Sequence, residues 1–361
     1  MGKNGIMTLH FADNYGAVLQ AYALQEYMKY IGEDYEIINY VPQRINRQYT
    51  INPFFPEGTF KNRMGRMLHF WKRYKQRVLF CSFRKQYLNI SEKRYNECDI
   101  IDEDYDYIIF GSDQIWNPEH TFYDTKYFGE GVLTNRKKVS YSASFGKKEL
   151  SPFQNTCINK YLIDFDMISL REAKFAKIVQ FEINKQCFVS CDPVFLLGKD
   201  AWIGLSELSC FSNRGKARYI LLYTLTNDKK IIEYAEQFAE KKREKLLVIH
   251  PTCMKIKTSY QQLYNVGPID FLSLVLQSEG IITNSFHAFC FGIIFGKKVV
   301  FRKVNDTDTR TDYIVKIAKV DSCEDKDVVI YDFGTIDENS FNSWINESKN
   351  YLTSIKGRSD N

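Results

Sequence analysis

The 361-residue sequence contains no apolar run near the roughly 20 residues that a membrane-spanning helix requires. Its opening residues, Met1 to Leu9, carry no charged segment followed by a long apolar stretch, so we expect no signal peptide and a cytoplasmic protein. The nine cysteines are odd in number and form no C-x-x-C pair, which argues against a disulfide framework and a zinc site. We therefore expect most of these thiols to be small core residues.

Motifs for several reaction classes are also missing. Neither a P-loop nor a G-x-G-x-x-G fingerprint occurs, which removes support for nucleotide hydrolysis and NAD chemistry. No G-x-S-x-G elbow marks a serine hydrolase, and no group of His, Asp and Glu has the spacing of a metal site. The sequence therefore predicts an activity without metal or cofactor, and no nucleic-acid partner.

The net charge of +5 is unevenly distributed. Residues 61–94 hold eleven Lys and Arg residues, one acid and six interleaved aromatic residues. This composition is typical of a solvated helix that buries one aromatic face. The alternative is a surface that contacts anionic phosphate or membrane lipid, and the protein would then lie peripherally at the inner face of the membrane.

Short apolar runs alternate with helical stretches along the chain, which is typical of parallel sheets covered by helices on both faces. We predict an α/β fold with two Rossmann-like domains, 1–200 and 201–361. The first carries a basic and aromatic insertion at 42–95, which begins as a long loop over 42–60. The second ends in a helix over 336–355 that packs back on the first domain. Ligands bind beyond the carboxyl ends of such strands, so the active site is expected in the cleft between the domains.

One candidate site follows a predicted strand in the second domain, in the segment Thr283–Ala288. Asn284 or Ser285 can cap the helix that follows, and the N-terminus of a helix suits a phosphate or carboxylate. His287 would stand beside that anion and can act as a general acid. The alternative is a purely structural histidine.

Arg171 is a second candidate, because it follows a predicted strand in the segment Ser169–Glu172. An arginine at a strand end can hold a carboxylate or phosphate through two parallel hydrogen bonds. The alternative is a salt bridge to Glu172 or to another surface acid.

Two polar loops give the predicted acceptor side of the cleft. In the segment Asp13–Ala17, Gly16 permits close approach of the backbone to a ligand. In the segment Gly111–Pro118, a Trp can stack on a sugar while Asp, Asn and Gln hydrogen-bond its hydroxyls. Ordinary turns are the alternative for both loops. The predicted acceptor or cleft residues are Asn14, Tyr15, Gly16, Ser112, Asp113, Gln114 and Trp116.

Taken in order, these segments resemble the polysaccharide pyruvyl transferase family. The resemblance extends from residue 5 to about residue 302. The matching stretches are Thr8–Leu24, Gly111–Pro118, Tyr141–Gly146, Ser169–Glu172, Asp192–Leu197, Gly267–Pro268 and Thr283–Ala288.

The resemblance implies a GT-B-like arrangement of the two domains. It also implies transfer of a pyruvyl group from phosphoenolpyruvate to a sugar, forming a cyclic ketal. Arg171 would grip the donor's carboxylate or phosphate, and His287 would hold the phosphate and act as the acid. The implied partners are phosphoenolpyruvate and a glycan or lipid-linked sugar acceptor. The predicted donor-binding residues are Asn284, Ser285, Phe286 and Arg310.

Two positions depart from the family pattern. Ala288 stands where many members have glycine, and Ser285 stands where some members have an arginine. The phosphate would then be held by backbone N–H groups, by Ser285, or by another cation such as Arg302 or Arg310.

Two other functions stay open from the sequence. The first is a GT-B glycosyltransferase that uses a nucleotide sugar, for which Glu279 and Asp306 are the candidate ribose- or base-binding acids. The second is a non-catalytic glycan-binding protein.

Overall fold

The protein contains two seven-stranded sheets, seen in a computed structural model that describes residues 3–49, 60–101, 105–132, 137–212, 218–303 and 310–356. The strands of the first sheet are β1 (Lys3–Met7), β2 (Tyr35–Tyr40), β3 (Ile90–Tyr95), β4 (Tyr105–Asp113), β5 (Lys137–Ala143), β6 (Ile168–Leu170) and β7 (Cys187–Val189). Their spatial order is β3-β2-β1-β4-β5-β6-β7, and every neighbouring pair is parallel.

The strands of the second sheet are β8 (Tyr219–Tyr223), β9 (Lys245–Ile249), β10 (Gln261–Gln262), β11 (Gly280–Thr283), β12 (Lys298–Phe301), β13 (Ser322–Asp325) and β14 (Val328–Asp332). Their order is β10-β9-β8-β11-β12-β14-β13, with β14 antiparallel to both of its neighbours. The central strands β8 and β11 are buried along their whole length, which explains why both are continuous apolar runs.

The helices cover the faces of these sheets. They are α1 (Tyr15–Tyr30), α2 (Gln43–Gln48), α3 (Phe60–Tyr87), α4 (Pro118–Thr121), α5 (Pro152–Tyr161), α6 (Ala173–Ile183), α7 (Lys199–Glu207), α8 (Lys229–Lys242), α9 (Pro268–Gln277), α10 (Phe286–Ile294), α11 (Arg310–Ala318) and α12 (Glu338–Lys356). Within the described part of the chain, no helix is both long enough and apolar enough to cross a membrane. The predicted α/β fold with two Rossmann-like sheets is confirmed.

The two sheets are joined through helices α1, α3 and α9. The Tyr15 ring at the start of α1 stacks between Phe271 of α9 and Phe80 of α3, with ring centroids 4.7 and 5.2 Å apart. The Tyr15 hydroxyl donates to the Val266 carbonyl at 3.0 Å. One buried apolar cluster therefore includes residues from both sheets. The domain boundary at residue 200 stays a prediction.

The segment 42–95 differs in part from the predicted insertion. Its final residues form β3, an edge strand of the first sheet, and the predicted loop over 42–60 contains helix α2. Residues 50–59 of that loop lie outside the described residues. The polar spacing of 43–48 gave no apolar stripe from which a helix could be recognised, and only Ile45 is buried there.

The C-terminal helix α12 lies against the first sheet. The Trp344 indole donates to the Val189 carbonyl at 3.0 Å, and the Tyr351 hydroxyl donates to the Ser140 carbonyl at 2.9 Å. The Ser348 hydroxyl accepts from the Cys191 backbone N–H at 3.0 Å. These bonds hold the end of the chain against β5 and the segment that follows β7.

Candidate active site

Arg171 is held at the carboxyl end of β6 by three side chains of the first sheet. Its Nη2 donates to Ser112 Oγ at 2.6 Å and to Asp192 Oδ2 at 2.5 Å, and its Nε donates to Ser142 Oγ at 3.4 Å. The side chain is buried, with 2% of its surface exposed. Because β4, β5 and β6 are parallel neighbours, their carboxyl ends bring these groups together. The guanidinium is thus fixed in one orientation.

Asp192 follows β7 and is the counter-ion of Arg171. Its Oδ1 accepts from the Val194 N–H at 3.0 Å, which leaves Oδ2 for the arginine. Burial pushes the pKa of Asp192 upward, but the charges of Arg171 and His287 outweigh it and lower the pKa to about 2. Asp192 is therefore a carboxylate at neutral pH. The alternative in which Arg171 pairs with Glu172 or a surface acid is wrong, because the partner is this buried residue.

His287 comes from the second sheet, in the first turn of α10. The ring is buried, and Nε2 lies 3.5 Å from Asp192 Oδ2 without a hydrogen bond between them. The ring lies directly on Gly16 at the start of α1, where the Cβ of any larger residue would stand 2.1 Å from His287 Nδ1. Gly16 therefore leaves room for this histidine, whereas the sequence predicted that it would leave room for a ligand.

Two buried nitrogens at this junction have no hydrogen-bond partner among the described residues, Arg171 Nη1 and His287 Nε2. Buried polar groups are paired in the great majority of cases, so each exception calls for an explanation. Two guanidinium groups lie over the Phe286 ring. The central carbons of Arg171 and Arg310 are 4.5 and 5.1 Å from the ring centroid. The junction can thus offer hydrogen bonds and positive charge to an anion.

Glu172 lies beside this cluster. Its Oε1 accepts from Ser144 Oγ at 2.6 Å and from the Gly146 N–H at 3.1 Å, while Oε2 is buried without a hydrogen-bond partner among the described residues. Burial raises the pKa of Glu172, against the opposing pull of the Ser144 hydrogen bond and the Arg171 charge.

Two predicted cleft residues are core residues instead. Trp116 is fully buried, donates to the Tyr127 carbonyl at 2.9 Å and stacks on Phe128, so it has no face left for a sugar. Tyr15 is fully buried in the aromatic stack between α3 and α9. Both sequence assignments are corrected, because the aromatic rings pack against each other across the fold rather than facing a ligand.

The polar residues of the same loops have local roles. Asn14 caps α1 by accepting from the Gly16 N–H at 2.9 Å, and Ser285 caps α10 by accepting from the Ala288 N–H at 3.4 Å. Asn284 accepts from the Leu225 N–H at 2.8 Å and donates to two threonines of the same loop. These bonds use the side chains that were predicted to contact ligand.

Asp113 and Gln114 are partly exposed at the end of β4. Asp113 Oδ1 accepts from the Gln114 N–H at 2.8 Å, and Gln114 Oε1 accepts from Asn117 Nδ2 at 2.7 Å. Their acceptor-side role stays a prediction. Ser112, by contrast, is buried beneath Arg171 and acts by holding it.

The other residues that the sequence offered as phosphate- or nucleotide-binding groups do not all lie at the candidate site. Arg302 is held by Asp228 at 2.6 Å, whereas Arg310 lies at Phe286 in the candidate site. Glu279 precedes β11, at the opposite end of the strand from His287, and pairs with Arg218 at 3.2 Å. Asp306 lies outside the described residues.

Sequence reasoning did not identify Asp192, Ser142 and Glu172 as parts of the site. Asp192 lies two residues after the predicted strand Phe188–Ser190, and Arg171 was identified from a similar position just after a predicted strand. Nothing in the sequence indicates that Ser142 faces the arginine. Among the described residues, no three His, Cys, Asp or Glu side chains form a group that could hold a metal ion.

The fold and the site together define a two-sheet α/β protein whose sheets meet at a junction that holds Arg171, Arg310 and His287. The chain belongs to the polysaccharide pyruvyl transferase family, whose sequence model matches residues 14–305. The resemblance stated from the sequence motifs is confirmed. Family membership supports a function in polysaccharide modification. No curated protein matches the chain at a significant level.

Solved structures resemble the chain at low identity. The UDP-GlcNAc 2-epimerase of Methanocaldococcus jannaschii in complex with UDP-GlcNAc and UDP is 15% identical, covers 88% of this chain and 87% of its own, and has a TM-score of 0.49. The Neisseria meningitidis UDP-GlcNAc 2-epimerase bound to UDP-GlcNAc is 8% identical, with coverages of 87% and 85% and a TM-score of 0.49. The E. coli ADP-heptose LPS heptosyltransferase II is 11% identical, with coverages of 83% and 84% and a TM-score of 0.31. Likeness at this level extends to neither substrate nor mechanism.

Proposed function

We propose that this protein transfers a pyruvyl group from phosphoenolpyruvate to two hydroxyls of a sugar, forming a cyclic ketal on a surface polysaccharide or its lipid-linked precursor. The observation that carries the proposal is the pair of buried, unpartnered nitrogens, Arg171 Nη1 and His287 Nε2, at one junction. A small dianionic donor would satisfy both.

Phosphoenolpyruvate carries a carboxylate and a phosphate, so it requires more than one cationic contact. Arg171 Nη1 supplies one, because Nη2 and Nε are already bound to Asp192 and the serines. Arg310, at Phe286, supplies the second cation. The N-terminal turn of α10 adds partial positive charge on the same side.

The reaction begins with protonation of the donor's methylene carbon, for which His287 Nε2 is the proposed acid. The electrons of the C=C bond form the new C–H bond and leave an oxocarbenium-like centre at C2. One sugar hydroxyl attacks C2, the C–O bond to phosphate breaks, and a second hydroxyl closes the ring. Of the two hydroxyl protons, one restores the histidine and the other leaves with the phosphate. An acid of this kind contributes roughly 10²–10⁴-fold.

Asp192 and Gly16 position these groups. The Asp192 carboxylate holds Arg171 and lies 3.5 Å from His287 Nε2. Gly16 lets α1 pack closely against the His287 side chain. The proposed acid and the proposed anion contact are thereby coupled through one carboxylate.

The donor assignment is tested by isothermal titration with phosphoenolpyruvate and with a panel of nucleotide sugars. We expect phosphoenolpyruvate to bind, and Arg171→Gln to weaken it by about tenfold or more because a charged hydrogen bond is lost. The matched control is Arg302→Gln, since Arg302 is held by Asp228 away from the junction. Binding of a nucleotide sugar without binding of phosphoenolpyruvate would replace the proposal with the glycosyltransferase function.

A further inference from the structure

Helix α3 presents apolar side chains on two opposite faces. The inner face packs into the fold through the buried rings of Phe80 and Phe83 and through the buried polar side chain of Gln76. Five large side chains on the outer face are exposed, and they recur at intervals of three and four residues. They are Met64, Met67, Trp71, Tyr74 and Val78, with 43, 55, 70, 45 and 48% of their surface exposed.

These five side chains, here called the outer stripe, lie on one side of the helix. At about 100° per residue their spacing keeps them within one narrow arc, roughly opposite the buried face. Exposed large apolar residues are ordinary when isolated, but a continuous row of them indicates an interaction surface. Nothing else in the described part of the chain covers this row.

The charge of α3 has a single sign. Its sequence contains nine Lys and Arg residues and no acidic residue. Arg77 and Arg84 are used internally, since both pair with Asp13 at 3.1 and 2.9 Å. Lys75 and Lys85 are exposed and remain on the outer side of the helix.

The positive charge of α3 indicates which partner binds the outer stripe. Spacing of three and four residues would suit helix pairing with a second copy, but that pairing would bring two wholly basic helices together. An anionic bilayer surface instead matches both features. Trp and Tyr favour the membrane–water interface, and Lys and Arg are attracted to anionic headgroups.

We propose that α3 docks this protein on the surface of an anionic bilayer through the outer stripe, with the basic residues beside it contacting the lipid headgroups. The helix would lie in the interface without crossing it. Its inner face packs on helix α1, where Gln76 donates to the Tyr15 hydroxyl at 2.9 Å. Docking would hold the protein at the membrane that carries a lipid-linked sugar. Delivery of a lipid-linked acceptor rests on the proposed function, whereas the docking does not.

Vesicle flotation of the full-length protein tests the docking without any substrate. We expect the protein to float with vesicles containing phosphatidylglycerol and to stay largely unbound with pure phosphatidylcholine. The double variant W71S/Y74S should reduce the floating fraction at least tenfold, and K75E/K85E should also reduce it. The matched control F181S removes an aromatic residue on α6 that is more exposed than Trp71 or Tyr74, and it should float like the wild type.

Tryptophan fluorescence gives a second readout on the same samples. Trp71 is the exposed tryptophan, while Trp116, Trp202 and Trp344 are buried, so a blue shift on adding anionic vesicles reports on α3. Equal flotation of wild type and W71S/Y74S, or no flotation of the wild type, would overturn the proposal. Sedimentation showing a dimer that W71S/Y74S dissociates would also overturn it, in favour of a second copy as the occupant. Phosphoenolpyruvate binding is measured separately, so failure of the docking leaves the proposed function untouched.

Discussion

The fold holds the Arg171 guanidinium group in one orientation. Buried arginines are normally paired through all of their N–H groups. Arg171 Nη2 donates to Asp192 and Ser112, whereas Nη1 has no hydrogen-bond partner among the described residues. The carboxylate cancels most of the cost of burying the charge, and the remaining N–H groups keep a defined direction. Such an arrangement spends no free energy on reorientation when an anion arrives.

Gly16 is the position where the smallest change should have the largest effect. A methyl group there would stand 2.1 Å from His287 Nδ1, so the ring must shift from its present position. We expect Gly16→Ala to lower kcat by about 10²-fold or more, the size of a lost general acid, while far-UV circular dichroism is unchanged.

The matched control for that substitution is Gly204→Ala. Gly204 lies within α7, and a methyl group there would have no other atoms within 4 Å. We expect wild-type activity and equal or slightly higher stability, because alanine favours the helix. Full activity of Gly16→Ala would show that the packing of His287 on α1 has no role in catalysis.

Glu172 predicts a pH dependence of stability. Burial raises its pKa above the ordinary 4.5, so the folded protein binds this proton more tightly than the unfolded chain. The stability that it contributes is present in full below pH 4.5 and is lost as the pH rises through the folded pKa. Glu172→Gln keeps an oxygen for Ser144 and Gly146 and removes the titration.

The melting temperature of Glu172→Gln minus that of the wild type should therefore increase as the pH is raised from about 4.5 to about 7. Differential scanning fluorimetry across that range measures the difference. A difference that is constant with pH would mean that the buried carboxyl does not titrate differently in the folded state.

Secondary structure was predictable wherever apolar periodicity was strong. The apolar runs Tyr35–Tyr40 and Gly280–Thr283 and the amphipathic stretch Lys229–Lys242 can be recognised from the sequence alone, and the structure has two strands and a helix with these bounds. The strands pair within their sheets and the helix packs on β8, β9 and β11, so local pattern and tertiary packing agree. Helix α2, with one buried residue, gave no such pattern.

The candidate site was predictable only in part, for a physical reason. A residue that follows a strand can be assigned to the functional edge of a sheet from the sequence, which identified Arg171 and His287. Partners that meet across separations of 20 or more residues cannot be assigned in this way. Asp192 beneath Arg171 and Gly16 beneath His287 are contacts of that kind, and Trp116 packs inward on Phe128 rather than toward a ligand.

Helix α12 is far from the site residues along the chain, but it contacts the segment that carries Asp192. Ser348 accepts from the Cys191 N–H, one residue before Asp192. Ser348→Ala leaves that buried donor unpaired, so we expect the free energy of unfolding to fall by about 1–3 kcal/mol in urea denaturation.

Ser354→Ala is the control in the same helix, because Ser354 is exposed and bonds only to a backbone carbonyl of its own turn. Its unfolding free energy should stay within about 0.5 kcal/mol of wild type. Equal stability of the two variants would show that α12 does not support the segment after β7.

The whole molecule should unfold as one unit despite having two sheets. The same buried apolar cluster includes residues of both, and Tyr15 joins α1 to α3 and α9. We expect urea curves from far-UV circular dichroism and from tryptophan fluorescence to coincide. Two separated transitions would contradict this, and would mean that each sheet keeps an independent core.

If the junction of the two sheets performs pyruvyl transfer, phosphate and a pyruvylated acceptor should form together in one product assay. Purified protein is incubated with phosphoenolpyruvate and galactose-, mannose- or glucose-terminated acceptors, and phosphate release is followed together with the acceptor's mass. We expect equimolar phosphate and an acceptor mass gain matching a pyruvyl ketal in the wild type and in Arg302→Gln, and neither product in Arg171→Ala or His287→Ala. Ketal formation that persists in both of these variants would contradict the assigned site, and phosphate release without any mass gain on an acceptor would contradict the assigned reaction.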